Sequence, residues 1–270
     1  MDTLFSYREE GLYCHCSLDE APDPDSFPIH AHEMLEIYCF LSGKGTYLVE
    51  GTRYPLEAGD IFLMRPAETH KLLIEASEPY RRIAAHVCPA FFTQIDPEQR
   101  LLRPFFARPL GSMNRYPAAQ YPELHRVFDG FVLTPGLERI QILSRVMLLL
   151  SQIAALYPSI SGHTPVPCGF AFSLVSYVNA HLFEPISLDA ISRSFARSPS
   201  QIGRVFRAAT GTSLWEYVLL KRLLSARAML ERGETATDTA LLCGFSDYSA
   251  FYRAYRKHFG RTPSDDKPSM

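Results

Sequence analysis

Arg204-Val205-Phe206-Arg207-Ala208-Ala209-Thr210-Gly211-Thr212-Ser213 has a counterpart forty-nine positions further on, Arg253-Ala254-Tyr255-Arg256-Lys257-His258-Phe259-Gly260-Arg261-Thr262. In each copy an arginine precedes an aromatic residue, a second arginine follows it, and a glycine closes the segment. Upstream of each lies a short helical stretch and a turn. A short helix, a tight turn and a second helix with a polar outer side are the parts of a DNA-reading unit. Two such units in tandem would put two helices side by side, both able to enter DNA.

The local signals support this reading. Ser187 is placed to cap a helix carrying Leu188, Ile191 and Phe195, and Ser198 to cap the next, with Pro199 in its first turn. In that helix Ile202, Val205 and Phe206 face inward, leaving Ser200, Gly203, Arg204 and Arg207 outside. A long helix from Leu214 to Glu231 connects the halves, with Trp215 and Leu219 assigned to its apolar side. Gly244 supplies the second turn, Phe245 plugs the core and Asp247 caps the last helix. Phe251 and Tyr255 then pack inward, and Tyr248, Ser249, Tyr252, Arg253, Arg256 and Lys257 remain for DNA.

The C-terminal hundred residues resemble the AraC/XylS transcription regulators. The signature runs Ala240-x-x-x-Gly244-Phe245, through Phe251, Arg253, Tyr255 and Arg256, to Gly260-Arg261-Thr262-Pro263. Ser198, Ile202, Arg204, Phe206, Gly211, Tyr217, Arg222, Leu223, Ala226 and Leu230 fall at the family's spacing upstream. The resemblance implies an all-helical domain with two helix-turn-helix units that read successive major-groove segments of double-stranded DNA. By position, Ser200, Gly203 and Arg204 correspond to base-facing sites of the first reading helix, and Tyr248, Ser249, Tyr252 and Arg253 to those of the second. Arg207, Arg256 and Lys257 are assigned to phosphates, which position without reading sequence. The plain alternative for Arg204 and Arg253 is an intradomain salt bridge. Gly203 offers the bases no side chain, so the first unit is expected to read weakly. The family's usual residues after Pro263 are missing, so the last helix is expected to be short.

Charge divides the chain in the same place. Residues 1–169 hold 14 Lys and Arg against 20 Asp and Glu, whereas residues 170–270 hold 13 against 9. Only the basic back half suits a polyanion. The six cysteines form no C-x-x-C pair and read as reduced thiols. The first ten residues lack a basic region leading into an apolar one, and no run approaches eighteen uninterrupted apolar residues. A cytoplasmic protein without a membrane partner is expected.

The front half reads differently. Glu36 to Phe40, Gly45 to Val49 and Asp60 to Met64 are strand-like, punctuated by Gly43, Gly45, Gly51 and Gly59, which argues for a barrel or sandwich. Around residues 121–157 the period becomes helical, with Ile140, Leu143, Met147, Leu150 and Ile153 on one apolar face and Leu137 a turn earlier, after a break at Thr134-Pro135-Gly136. That face must cover the barrel or a second subunit.

His30-Ala31-His32, Glu36 and His70 resemble the two motifs of the cupin barrel, at its metal-ligand positions. Two histidines two apart on a strand point to one face. Three imidazoles and a carboxylate suit a divalent transition metal, but the same four residues could hydrogen-bond a small organic ligand. Tyr38, Tyr47, Tyr54, Phe62 and Met64 supply pocket walls or simply core.

The expected architecture is multidomain α+β: a cupin-like effector-binding barrel over 1–111, a helical dimerisation segment over 112–157, a Pro/Gly-rich linker over 158–169 and a double helix-turn-helix domain over 170–265. The expected function is sequence-specific transcription regulation in response to a small-molecule effector or metal. It would act as a homodimer, with activation commoner than repression in the family and RNA polymerase as the partner of an activator. The rival is a metal-dependent cupin enzyme of dioxygenase or isomerase type with a DNA-binding appendage.

Overall fold

The computed structural model describes residues 2–133, 139–161 and 169–267, with the backbone alone for 129–133 and 159–161. The N-terminal half holds strands β1 (Asp2–Glu9), β2 (Leu12–Asp19), β3 (Leu35–Ser42), β4 (Gly45–Val49), β5 (Thr52–Pro55), β6 (Ile61–Met64), β7 (His70–Ile74) and β8 (Tyr80–Val87). The short helix α1 (Arg103–Phe106) and the two-residue strand β9 (Arg115–Tyr116) follow. A six-stranded sheet in the order β1-β2-β8-β3-β6-β9 faces a three-stranded sheet in the order β5-β4-β7. All the pairings are antiparallel.

Side-chain alternation along the large sheet makes two cores. One face carries Cys14, Ile37, Leu63 and Ala85, covered by Phe128, Val146 and Ile153 from helices α2 (Pro122–Leu133) and α3 (Arg139–Ser161). The opposite face carries Tyr38, Phe40, Phe62 and Met64, which meet Tyr47, Val49 and Leu72 of the small sheet. The order is therefore helices, sheet, sheet. Of the residues read as pocket walls or core, Tyr38, Tyr47, Phe62 and Met64 are core, at most 1% exposed. Tyr54 is partly buried and donates to the Gly111 carbonyl at 2.8 Å.

Two expectations about α3 change. Its buried face is Ile142, Val146, Leu149, Leu150, Ile153 and Tyr157, while Ile140 is exposed and Leu143 and Met147 are half-buried. The apolar residues surround much of this helix, so spacing alone left its rotation open. It also runs through Pro158 to Ser161, beyond the expected start of the linker. By length and composition Arg139–Pro158 would pass for a membrane span, but its buried face belongs to the barrel core. The break at 134–136, Leu137 and linker residues 162–168 lie outside the described residues.

The C-terminal half is helical: α4 (Phe170–Ala180), α5 (Leu188–Phe195), α6 (Pro199–Thr210), α7 (Leu214–Leu230), α8 (Ala236–Leu242) and α9 (Tyr248–Phe259). Two small cores result. Val178, Ile191, Ile202 and Phe206 close the first, and Leu223, Ala240, Phe251 and Tyr255 the second, with α7 contributing to both. Trp215 and Leu219 do not join either core: they are 49% and 40% exposed. A 3-10 turn, Pro263–Asp266, follows α9 and accepts the Tyr255 hydroxyl at Asp266.

Candidate DNA interface and sensor site

The caps fix where each reading helix begins. Ser198 accepts the N–H of Gln201, whose side chain answers to the Ser198 N–H in a capping box, and Pro199 fills the first turn. Asp247 accepts the N–H of Ala250 at 2.7 Å at the head of α9. Gly244 turns between α8 and α9 at φ 76°, and a Cβ there would meet the Phe183 carbonyl oxygen at 2.5 Å, so only glycine fits.

The resulting outer faces carry the expected side chains. On α6, Ser200, Arg204 and Arg207 are exposed and Gly203 is half-buried with open space where its Cβ would be. On α9, Tyr248, Ser249, Arg253, Arg256 and Lys257 are exposed and Tyr252 is half-buried. Tyr248, Ser249, Tyr252 and Arg253 line one shallow hollow of about 340 Å³. Among the described residues neither Arg204 nor Arg253 forms a salt bridge, so the intradomain alternative finds no partner there. The bracing arginine is instead Arg222, which donates to the carbonyls of Leu182, Gly244 and Glu184 at 2.6–2.8 Å.

The barrel places histidines around one buried carboxylate. Glu36 on β3 lies directly across from His86 on β8, and Tyr13 on β2 lies across from His86 on its other side. The Nε2 of His32 is 2.9 Å from Glu36 Oε2, that of His70 is 3.1 Å from the same oxygen, and that of His86 is 3.8 Å from Oε1. His32, Glu36 and His86 offer ligand atoms within 4.8 Å of one another. His30 and His32 precede β3 rather than sharing a regular strand; His30 is joined to His70 by a two-bond backbone bridge. His30 is exposed, its ring 4.3 Å from that of His70. The structure thus brings His32, Glu36 and His70 together and adds His86, with His15 stacked 6.1 Å behind it. Neither His15 nor His86 was singled out from sequence. The available signal was the alternation in Tyr13-Cys14-His15-Cys16 and Ala84-Ala85-His86-Val87, which needs the β2–β8 pairing to acquire meaning.

Tautomers sharpen the chemistry. The Nδ1 of His32 lies 2.9 Å from the Met34 carbonyl and that of His70 2.8 Å from the Glu68 carbonyl. A carbonyl can only accept, so both Nδ1 atoms carry protons and both Nε2 atoms turn to Glu36. That is how metal-binding histidines are usually held. The Nε2 of His70 is buried without an aligned hydrogen-bond partner. Burial would raise the Glu36 pKa, but His70, His86 and His32 outweigh it and hold the carboxyl well below its ordinary range. Burial opposes charge on His70, yet Glu36 raises its pKa. Burial lowers His86 to about 4. Around a divalent ion with bonds of about 2.0–2.1 Å to imidazole nitrogen, His86 would have to move inward, whereas His32 and His70 already lie as close to Glu36 as shared ligands would.

A ligand-binding β-sandwich joined to two helix-turn-helix units defines a transcription regulator that couples a sensor to a DNA-reading domain. The profile of the AraC-like ligand binding domain matches residues 16–154 and that of a helix-turn-helix domain matches residues 191–267. The chain belongs to the AraC family of transcriptional regulators. The HTH-type transcriptional activator RhaS of Escherichia fergusonii is 24% identical over 89% of this chain and 87% of its own. The regulatory protein SoxS of Salmonella typhimurium is 32% identical over 34% of this chain and 88% of its own. Among solved structures, ToxT from Vibrio cholerae aligns over 94% of this chain and 97% of its own, at 11% identity and a TM-score of 0.41.

Proposed function

We propose that this regulator is a sequence-specific DNA-binding homodimer of the cytoplasm whose barrel responds to an effector at the Glu36 cluster. The observation that carries the reading is the pair of capped helices α6 and α9, each presenting an exposed arginine, Arg204 and Arg253, that makes no salt bridge among the described residues. An arginine of this kind can grip guanine O6 and N7 bidentately. Activation is the favoured direction, in line with the likeness to an activator over nearly the whole chain; RNA polymerase is then the partner.

The working units are a barrel that runs past the expected bound at 111 to take in β9, a helical segment of α2 and α3, and a DNA-reading unit over 170–265, with the linker between. The outer side of α3 supplies the dimer seam, because Ile140 and Leu148 stand 71% and 51% exposed on it. The effector class favoured by the Nδ1–carbonyl contacts is a divalent transition metal ion, held by His32, Glu36, His70 and His86. The histidines act as a sensor in this reading, not as the centre of an enzyme.

Selection of duplexes from a random pool with the purified full-length protein tests it. A consensus containing two guanine-bearing half-sites about one helical turn apart is expected for the two helices of each chain. Enrichment of no consensus at low salt, with and without added metal, would refute the reading.

A further inference from the structure

The two faces of β2 and β8 differ in kind. One face turns Cys14, Ile83 and Ala85 into the apolar core beneath α2 and α3. The other face, by alternation, carries Tyr13, His15 and Ser17 on β2 and Arg82, Ala84 and His86 on β8. The register sets Tyr13 across from His86, His15 across from Ala84 and Ser17 across from Arg82. The methyl group of Ala84 leaves the middle of this polar face low, between the longer side chains of Arg82 and His86 on its own strand.

Four polar atoms on that face are buried without a hydrogen-bond partner in the protein: His15 Nδ1, Ser17 Oγ, Arg82 Nε and His86 Nδ1. His15 and Ser17 are only 8% and 3% exposed. Buried polar groups are normally paired, and each exception demands a reason. Water can answer a serine or an imidazole, but it does not neutralise Arg82. That guanidinium makes no salt bridge among the described residues. It reaches the Tyr80 hydroxyl only at 3.5 Å and stands 5.8 Å from the centre of the Tyr80 ring. Arg108, in the same barrel, is by contrast fully engaged by Glu68 and by carbonyls.

An arginine in this setting selects a carboxylate, whose two oxygens match its paired N–H donors. Ser17 lies directly across from Arg82, so a carboxylate held by Arg82 also meets the serine hydroxyl. His15 stands one row further along the same face, where it meets an oxygen on the adjacent carbon. A neutral imidazole can donate to that oxygen or accept from it, which suits a hydroxyl or an oxo group. Glu36, across β8 from this face, is engaged by His32 and His70 and offers Arg82 no salt bridge. Tyr13, Arg82 and His86 are half-buried, and the exposed Arg8 lies over the Tyr13 ring at 4.1 Å, a second positive charge at the rim.

We infer that the polar face of β2 and β8 binds a small hydroxy- or oxo-carboxylic acid, with its carboxylate held by Arg82 and Ser17 and its neighbouring oxygen by His15. The inference deepens the sensor reading above, on which it rests, and does not depend on a metal at Glu36. His86 joins the two places: its Nε2 lies 3.8 Å from Glu36, while its Nδ1 is among the unpartnered atoms of the polar face.

Calorimetry and thermal melting of the full-length protein in a metal chelator test it, with lactate, pyruvate and mandelate as probes at constant ionic strength. Lactamide and mandelamide serve as uncharged counterparts of the same shape. At least one acid is expected to bind saturably and to raise the melting temperature, and its amide to do neither. Arg82→Met should weaken that binding by about thirtyfold or more, and Ser17→Ala by about threefold or more. Without ligand both variants should melt no lower than the native chain, because each removes a buried group that has no partner. No saturable binding of any acid, equal binding of acid and amide, or binding indifferent to Arg82→Met would overturn the inference. So would a sharply lower melting temperature for both variants without ligand, which would make these side chains braces of the fold. Acid binding by a protein that takes up no metal would leave this inference standing and remove the metal reading. A protein that selects a DNA consensus and binds metal but no acid would lose this inference alone.

Discussion

Arg108 holds Glu68 through both of its terminal nitrogens, at 2.7 and 2.8 Å, with both side chains wholly buried. The guanidinium also donates to the carbonyls of Leu63, Ser112 and Pro104, each at 3.0 Å. Glu68 takes further bonds from Gly111 N–H and Asn114 Nδ2 at 2.9 and 3.0 Å. Burial would push the Glu68 carboxyl up, and Arg108 overcomes this to hold it below its ordinary value. The pair ties the turn before β7 to the segment after α1. Arg108→Met is expected to destabilise the barrel by about 3–5 kcal/mol, because it strands a buried carboxylate. Arg108→Lys should recover little, since an ammonium cannot reproduce the fork. Urea unfolding measures both, and a loss below about 1 kcal/mol for the methionine variant would show that water replaces the guanidinium.

The reading helices make a sharper test, because base and phosphate contacts fail differently. Arg253→Ala should cost about 1–3 kcal/mol at the selected site and much less on random duplex. Arg256→Ala should weaken both by similar factors and reduce the salt dependence of binding by about one phosphate contact. Anisotropy titrations at several salt concentrations read both quantities. Equal losses on specific and random DNA for Arg253→Ala would move that residue to the phosphate group.

Gly203 lies inside α6 with nothing within 4 Å of where a Cβ would stand. In the free protein alanine should therefore stabilise the helix by up to about 1 kcal/mol. If α6 seats closely on DNA, the added methyl group occupies space the duplex needs. Gly203→Ala is expected to melt at a higher temperature and to bind its site more weakly. A variant that is both more stable and unimpaired in binding would show that the first unit stands off the bases.

Much of the C-terminal half was readable because its signals are local. Ser187, Ser198 and Asp247 cap helices within three residues, and Gly211, Gly244 and Gly260 stop or turn the chain at positive φ. The exposure of Trp215 and Leu219 was not readable, since α7 is apolar on several sides and must serve two cores at once. In the barrel, Glu36 and His70 were visible as motif residues. His86 was not, because its place opposite Glu36 depends on the pairing of β3 with β8, forty to fifty residues apart. The first hairpin, β1 and β2, was missed although it is local: Glu9 pairs with Leu12 across a turn closed by Gly11 at positive φ. Glu50 carried no local signal at all: its partners Asn179, Tyr217 and Lys221 lie more than a hundred residues away.

Acid should weaken the barrel through His15. Burial, followed by the nearby Arg82, lowers its pKa to about 4 against an ordinary 6.5. Below 6.5 the unfolded chain takes up a proton that the folded chain refuses. The stability from this group is therefore complete above pH 6.5 and is lost as pH falls from 6.5 towards 4, by at most about 3 kcal/mol. Unfolding free energies between pH 7 and 4 should fall less steeply for His15→Gln than for the native chain. Identical slopes would mean that His15 titrates alike in both states.

The histidine cluster can be divided by single and double replacement, because the structure and the sequence nominate different ligands. His32 and His70 both present Nε2 to Glu36 while their Nδ1 atoms donate to carbonyls, and His86 stands across the strand from the same carboxylate. His30 lies at the edge, exposed, with its Nδ1 3.1 Å from the Pro28 carbonyl. A cobalt(II) titration followed by visible absorption, together with elemental analysis of the purified protein, should show one ion per chain. His32→Ala with His70→Ala should abolish it. His86→Ala should weaken it by about tenfold or more, and His30→Ala should leave it in place. A strong loss on His30→Ala with none on His86→Ala would restore the set read from sequence. Metal content unchanged in the double variant would place the ion elsewhere.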